Sequence, residues 1–280
     1  MEPRHRYEYE IEPGSAPDRV VRYVGKGKKV LELGSGPGAI TRVLCKNECQ
    51  VTALEIDPDA IEIVREFCDE VYQCDFNDDS WPLALPSKEQ FQIVVAADVF
   101  EHLYDPWACM KQLHQFLSDD GSLVVSIPHV GHAAVMACLV NSDFDYHSWG
   151  LLDSTHIRFF GLTNIQSLFE DAGFKIIEVD FVVTHPDKTE LAQHWKIIPE
   201  RLQQALLSER FSCVYQAVIR AVPVNRPGKS LALTSQRIPK VEGFSITNRL
   251  RQNFFGGYIA SLIPPGTRQS ITAFFKKHGL

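Results

Sequence analysis

Residues 28–40 read KKVLELGSGPGAI. The apolar run Lys28–Leu33 predicts a buried strand, yet it carries Glu32 one residue before its end. Gly34, Gly36 and Gly38 then follow at every second position. An ordinary structural loop does not need that much backbone freedom. A main chain that must run close to a bound molecule does, because glycine accepts positive φ and has no Cβ to hold a ligand away. The next segment, from about Ala39, reads as a helix whose positive end points at the same space.

Outward from this stretch, strand-like and helix-like segments alternate. Predicted strands are 28–33, 49–56, 70–76, 91–98, 121–128, 175–183 and 212–222. Predicted helices include 38–47, 58–68 with Asp57 as N-cap and Pro58 at its first position, and 106–118 with Gly121 as the stop. Others are 132–140, 161–174 capped by Thr163 and closed by Gly173, and a helical segment at about 190–207. Alternation of this kind predicts an α/β fold: a mostly parallel sheet of seven strands with helices on both faces. Residues 91–98, FQIVVAAD, are apolar but for Gln92 up to the final acid, as a strand covered on both faces should be.

In an open parallel sheet, ligands bind beyond the carboxyl ends of the strands. The glycines lie there, and acids mark successive strand ends: Glu55 after the second, Asp75 after the third, Asp98 after the fourth. The segment GSGPGA also satisfies the G-x-G-x-x-A form of the dinucleotide fingerprint. Glu32 and the acid series argue against that reading, because they would repel a pyrophosphate. They suit a ligand with hydroxyls, amines and positive charge, such as S-adenosylmethionine. A nicotinamide-dependent oxidoreductase is disfavoured for the same reason.

The series VLELGSGPGAITRVL, VTALEIDPDAIEIV, YQCDF and FQIVVAADVFEHLYDP resembles the class I S-adenosylmethionine-dependent methyltransferases over roughly residues 28–222. The resemblance implies a seven-stranded Rossmann-like sheet whose last strand is antiparallel. It also implies roles. Glu32 with Gly34, Ser35, Gly36 and Gly38 would line the methionine and ribose portion. Glu55 would accept hydrogen bonds from both ribose hydroxyls, and Ile56 would pack on the adenine. Asp75 would take the adenine amino group with Phe76 beside the ring, and Asp98, Val99 and Phe100 would floor the methionine end. Taken singly, Glu55 and Asp75 also read as turn or capping acids, and Ile56 and Phe76 as core residues.

The region beyond the fourth and fifth strands is rich in histidine: His102, His129, His132, His147 and His156. Imidazole titrates near neutrality and suits removal of an acceptor proton. The element GLLDSTHIRFF, residues 150–160, resembles a subgroup of bacterial methyltransferases linked to polysaccharide and glycolipid biosynthesis. That likeness implies O-methylation of a sugar or another small-molecule hydroxyl. His156 is the expected base, with His129 and His102 as competitors, Asp153 as its orienter and Arg158 as a binder of an acidic substrate group. The alternative for Asp153, His156 and Arg158 is a purely structural lock on this loop. A metal centre is not expected, although His129 with His132 and Asp153 with His156 are each three apart. Other readings that stay open are N- or C-methylation, and a non-catalytic S-adenosylmethionine-binding scaffold in a glycan assembly complex.

Composition bounds the rest. The chain has 280 residues, 45% hydrophobic and 22% charged, and a net charge of −7. From Val224 to Leu280 nine Lys and Arg face one acid, Glu242, a balance of +8 that leaves −15 on residues 1–223. An acidic body argues against nucleic-acid binding. Domain boundaries are therefore expected at 1–223 for the catalytic body and 224–280 for a basic, aromatic C-terminal extension. That extension either packs Phe254, Phe255, Tyr258 and Phe274 back on the body or meets an anionic membrane surface or a membrane-bound biosynthetic partner. Seven scattered cysteines with no C-x-x-C pair suggest a reducing compartment. With no signal peptide and no apolar run near ~20 residues, the expected location is the cytoplasm, or the inner face of the membrane if the tail docks there. The oligomeric state is not legible.

Overall fold

The computed structural model describes residues 11–68, 70–85 and 90–239. Seven strands form one sheet in the order β3-β2-β1-β4-β5-β7-β6. They are β1 Lys29–Leu33, β2 Gln50–Glu55, β3 Glu70–Gln73, β4 Phe91–Ala97, β5 Leu117–Pro128, β6 Phe174–Val183 and β7 Val214–Pro223. The pairs of β1 with β2 and β4, β2 with β3, and β4 with β5 are parallel. The last strand, β7, runs antiparallel to both of its neighbours, as expected. Strand order reverses at β1, so the carboxyl ends of β1 and β4 open a crevice between them, with Leu33 in register with Ala96.

Helices cover both faces: α1 Ala16–Val24, α2 Ala39–Lys46, α3 Pro58–Val64, α4 Pro106–Gln112, α5 Ala133–Val140, α6 Leu162–Asp171, α7 Ala192–Ile197 and α8 Glu200–Ser208. The central strands are buried from both sides, because successive side chains point to opposite faces. Leu31, Leu33, Val94 and Ala96 join Phe91, Phe100 and Phe169 in one core. Val30, Ile93 and Val95 join Val20, Leu44 and Val64 in the other. Glu32 shares the second face with Val30, which turns its carboxylate toward α2.

Several boundaries differ from the sequence reading. Helix α1 was not anticipated, although Ser15 caps it by accepting from Asp18 N at 3.3 Å and Pro17 sits in its first turn. Asp57 caps α3 as expected, accepting from Asp59 N at 3.0 Å, but the helix stops at Val64 rather than 68. The third strand ends at Gln73, short of residue 76. The helix expected over 106–118 ends at Gln112 and tightens into a 3₁₀ turn, Leu113–Phe116, before β5 begins at Leu117. Gly121 is therefore a strand residue, not a helix stop. It sits where the β4–β5 register shifts, and a Cβ there would lie 2.7 Å from Phe91 O. Gly161, not Thr163, occupies the N-cap of α6, and Asn164 Oδ1 accepts its N–H at 3.2 Å.

The first compact unit extends to Pro239, past the expected boundary at 223. Leu231 N donates to Ile176 O at 2.8 Å, and Leu233 is buried. The second unit, Lys240–Leu280, lies outside the described residues, and so do the aromatic side chains expected of the tail. Among the described residues no helix is long and apolar enough to cross a membrane.

Candidate active site

The glycine turn is built by backbone geometry. Gly34 N and Ser35 N both donate to Leu54 O, at 2.8 and 3.2 Å, which folds the chain back over β2. Gly34 has φ of +65°, and a Cβ on it would lie 2.9 Å from Val99 Cγ2. Gly38, at φ +88°, is as tightly bounded by Val64 and Phe67. Both positions thus exclude other side chains by strain and by contact. Glu55 ties the turn down. Its Oε2 accepts from Gly36 N at 2.7 Å, and its Oε1 accepts from Ile56 N and Asp57 N at 2.8 and 2.9 Å.

Beside the turn opens a crevice of about 340 Å³. Its lining includes Glu32, Gly34, Ser35, Ala39 and Asp98, together with Glu101, His102, Trp149, Asp153, His156 and Gln216. Glu32 is 2% exposed and accepts from Thr41 Oγ1 at 2.7 Å. Burial pushes its carboxyl up to about 7 against that hydrogen bond, and the nearby Glu55 charge adds to the rise. Asp98 adopts φ of +56°. It lies open to the crevice while its Oδ1 accepts from Ser126 Oγ at 2.9 Å and from Gln216 Nε2. Desolvation deep in the crevice raises its pKa, and those two bonds oppose the rise.

Part of this lining is a titratable cluster on two elements. Glu101 and His102 come from a 3₁₀ turn, Phe100–His102, directly after β4. Asp153 and His156 come from the loop between α5 and α6, which Ile157 N and Arg158 N pin to Glu101 O at 2.9 Å each. His156 Nε2 stands 3.9 Å from Glu101 Oε1, and the His102 and His156 rings meet edge to face at 4.8 Å. Thr155 Oγ1 gives its proton to Asp153 Oδ1 at 2.7 Å. It can therefore only accept from His102 Nδ1, at 3.0 Å, which places the His102 proton on Nδ1. Glu101 is 0% exposed, and neither of its oxygens has a hydrogen-bond partner. Burial, then the charge of Asp98, push its pKa well above the usual carboxylate range; its own backbone N–H opposes the rise and the Asp153 charge adds to it.

Of the residues singled out from sequence, the crevice gathers Glu32, Gly34, Ser35, Asp98, His102, Asp153 and His156. Others lie outside its lining. Ile56 is 53% exposed, and Asp75 is exposed with Oδ1 accepting from Asn77 N at 2.9 Å. Phe76 packs edge-on against Trp81 at 5.3 Å. Val99 only backs Gly34, and Phe100 is a core residue rather than a floor. His129 is buried with Nδ1 on Val214 O at 3.2 Å, and burial lowers its pKa. His132 caps α5 through Ala134 N at 3.1 Å. Arg158 reaches Tyr104 O and stacks over Trp107, away from the crevice. Glu101, Gln216 and Tyr215 line the crevice but were not among the expected residues. Glu101 sat inside the quoted segment DVFEHL, whereas β7 carried no polar signal beyond its alternation.

Comparisons with known proteins bear on the family and the fold. Residues 4–179 match a family model described as methyltransferase domain. A ubiquinone biosynthesis O-methyltransferase of Coxiella burnetii (strain RSA 493 / Nine Mile phase I) is 21% identical over 167 residues, covering 59% of this chain and 71% of that protein. One of the same name from Xanthomonas campestris pv. campestris (strain B100) is 26% identical over 120 residues, covering 42% of this chain and half of the relative. The fold is similar to a SAM-dependent methyltransferase of Thermotoga maritima, with a TM-score of 0.51, 20% identity and coverage of 74% of this chain and 87% of that one. It is also similar to a SAM-dependent methyltransferase of Archaeoglobus fulgidus, with a TM-score of 0.51, 16% identity and coverage of 73% and 91%.

Proposed function

The chain belongs to the methyltransferase-domain family, and from that premise we propose that it moves a methyl group from S-adenosyl-L-methionine to a hydroxyl of a small, polar acceptor. The single observation carrying this reading is that one crevice gathers two chemically different sets of side chains. The glycine turn, Glu32 and Asp98 make a cation-accepting set, and Glu101, His102, Asp153 and His156 make a proton-accepting set. The first set fits the donor by its chemistry. A Cβ-free turn lets a ligand approach the main chain, and two carboxylates favour an amine and a sulfonium over a pyrophosphate.

When bound, the donor supplies an electrophilic methyl on a positively charged sulfur. Glu32, once ionised, pairs with the ammonium of its amino-acid portion. The exposed Ile56 and Asp75, at the ends of β2 and β3, border the adenine end. The cluster around His156 holds the acceptor hydroxyl in line with the methyl. As the C–O bond forms and the C–S bond breaks, the sulfur keeps the bonding pair and the hydroxyl proton passes to this cluster. Positioning and proton removal are the two contributions that a protein makes to such a displacement.

Support for oxygen as the acceptor atom comes from the two relatives named O-methyltransferases. Ser148, Asp153, His156 and Gln216 set polar groups in the lining beside Trp149 and suit a hydroxylated acceptor. Calorimetry with S-adenosylmethionine, S-adenosylhomocysteine and NAD tests the first set, and saturable binding of the first two ligands only is expected. Tighter binding of NAD would overturn the reading. A mass-shift screen of hydroxylated acceptors tests the second set. In that assay His156→Ala lowers turnover by about 10²–10⁴-fold, and wild-type turnover in the variant would remove His156 from the reaction.

A further inference from the structure

Glu101 poses a problem that the methyl-transfer reading leaves unsolved. A carboxylate taken out of water without partners costs several kcal/mol, about as much as any single polar error in a fold. Here both oxygens are buried and unpartnered, and the side chain is 1% exposed. A proton alone does not resolve this, because the protonated acid would bury an O–H with no acceptor. His156 Nε2 lies 3.9 Å from Glu101 Oε1, too long for a hydrogen bond.

That distance does suit two ligands of one ion. Donors at about 2.0–2.2 Å from a cation lie roughly 3.3–4.4 Å from each other. One ligand atom each from Glu101, His102 and His156 lies within 4.8 Å of the other two, so a shift of under about 1 Å brings them onto a common centre. The outer geometry matches as well. A metal-bound histidine usually gives its second N–H to a carbonyl or carboxylate, which fixes the tautomer. His102 Nδ1 faces Thr155 O at 3.2 Å and Thr155 Oγ1 at 3.0 Å, and Thr155 in turn is held by Asp153.

We propose that Glu101, His102 and His156 form a binding site for a divalent transition-metal cation of the zinc class, in the crevice. His102 binds through Nε2, His156 through Nε2 and Glu101 through Oε1. Two imidazoles and one carboxylate favour zinc, iron(II), cobalt(II) or nickel(II) over magnesium, which takes oxygen donors. Three protein ligands leave further coordination positions that open on the crevice, where an acceptor hydroxyl would reach the ion. The site goes beyond the methyl-transfer reading and does not depend on the methyl donor; with the ion bound, the Nε2 lone pairs of His102 and His156 are spent on it, and Asp153 is the member of the cluster left to take an acceptor proton.

The test uses the full chain, free of affinity tags and dialysed against a chelator. Cobalt(II) is titrated while its visible d–d absorption is followed, and zinc is then added as competitor. One equivalent of cobalt, displaced by zinc, is expected. Glu101→Gln and His102→Ala should each weaken binding by at least about 100-fold, more than the loss of an outer partner, while His147→Ala, outside the cluster, leaves it unchanged. Unfolding curves identify any variant that fails to fold, and His102, which is only partly buried, carries the test if Glu101→Gln does. Absence of saturable binding overturns the proposal. So does wild-type affinity in the folded variants, or an intense thiolate-to-cobalt band, which would place the ion on the cysteines.

Discussion

Replacing Glu32 by Gln should make the protein more stable at neutral and alkaline pH while weakening its grip on the methyl donor. The carboxyl sits between two pKa values: 4.5 in the unfolded chain and about 7 when folded, raised by burial. Below about pH 4.5 it is protonated in both states and costs nothing. Between the two values the folded state keeps a proton that the unfolded state has lost. Folded protein then binds more protons, so its stability falls as pH rises. Above about pH 7 both states are ionised and the whole penalty is in place. The gap is worth about 3 kcal/mol at 1.36 kcal/mol for each pH unit. Gln keeps the shape and can still accept from Thr41 Oγ1, so it removes the penalty and not the contact. Urea melts at a series of pH values should show wild type and Glu32→Gln diverging by about 3 kcal/mol between about pH 4.5 and pH 8 with equal m-values. In thermal melts that is about 6–12 °C for a domain of this size. Donor affinity should move the other way. Loss of a charged hydrogen bond costs about 1.5–3 kcal/mol, or roughly 10–150-fold in Kd. Wild-type affinity should also decline as pH drops below about 7, where Glu32 is protonated, and Glu32→Gln should lack that slope. A stability difference that stays constant across this pH range would refute the argument, because it would mean that Glu32 does not titrate late in the folded state.

Two other substitutions separate the scaffold from the binding surface. Gly34→Ala forces an L residue to φ of +65° and puts its methyl against Val99. It should cost about 2–4 kcal/mol in urea melts and abolish measurable donor binding; a fully stable variant would show that the turn can relax. Ile56→Ala removes a side chain that is 53% exposed, so stability should change by under about 0.5 kcal/mol. Calorimetry should nevertheless show weaker donor binding, and unchanged affinity would dismiss Ile56 as an adenine contact.

The sheet was legible because its signals are local and repeated. But for Glu32 and Gln92, Val30 to Leu33 and Phe91 to Ala97 are apolar without alternation, which marks strands covered on both sides, and the acids at the strand tips follow from the same registration. Errors arose where local propensity met tertiary context. Residues 113–116 have helical composition, but β5 must begin at Leu117 to pair with Phe91, and the chain tightens to make that possible. Gly121 has the look of a helix stop, yet it is needed for its missing side chain against Phe91 O. Helix α1 was overlooked although Ser15 and Pro17 announce it.

The crevice was legible only in part, and the reason is physical. Sequence position fixes which residues sit at strand tips; it does not fix which way their side chains turn. Glu55, a strand-tip acid, spends its lone pairs on the amides of Gly36, Ile56 and Asp57. Asp98, a strand-tip acid too, faces the crevice because a positive φ turns it there. Glu101 looked like one more charged residue in a turn. Its setting comes from a loop more than fifty residues further along, whose Ile157 and Arg158 amides dock on Glu101 O and whose His156 stands 3.9 Å from its carboxylate. A buried acid is costly wherever it occurs, and here burial pushes the Glu101 carboxyl well above the usual carboxylate range. In this molecule the groups at hand are two imidazoles, and one ligand atom from each lies with a Glu101 oxygen inside a 4.8 Å span, the arrangement on which the proposed metal site rests.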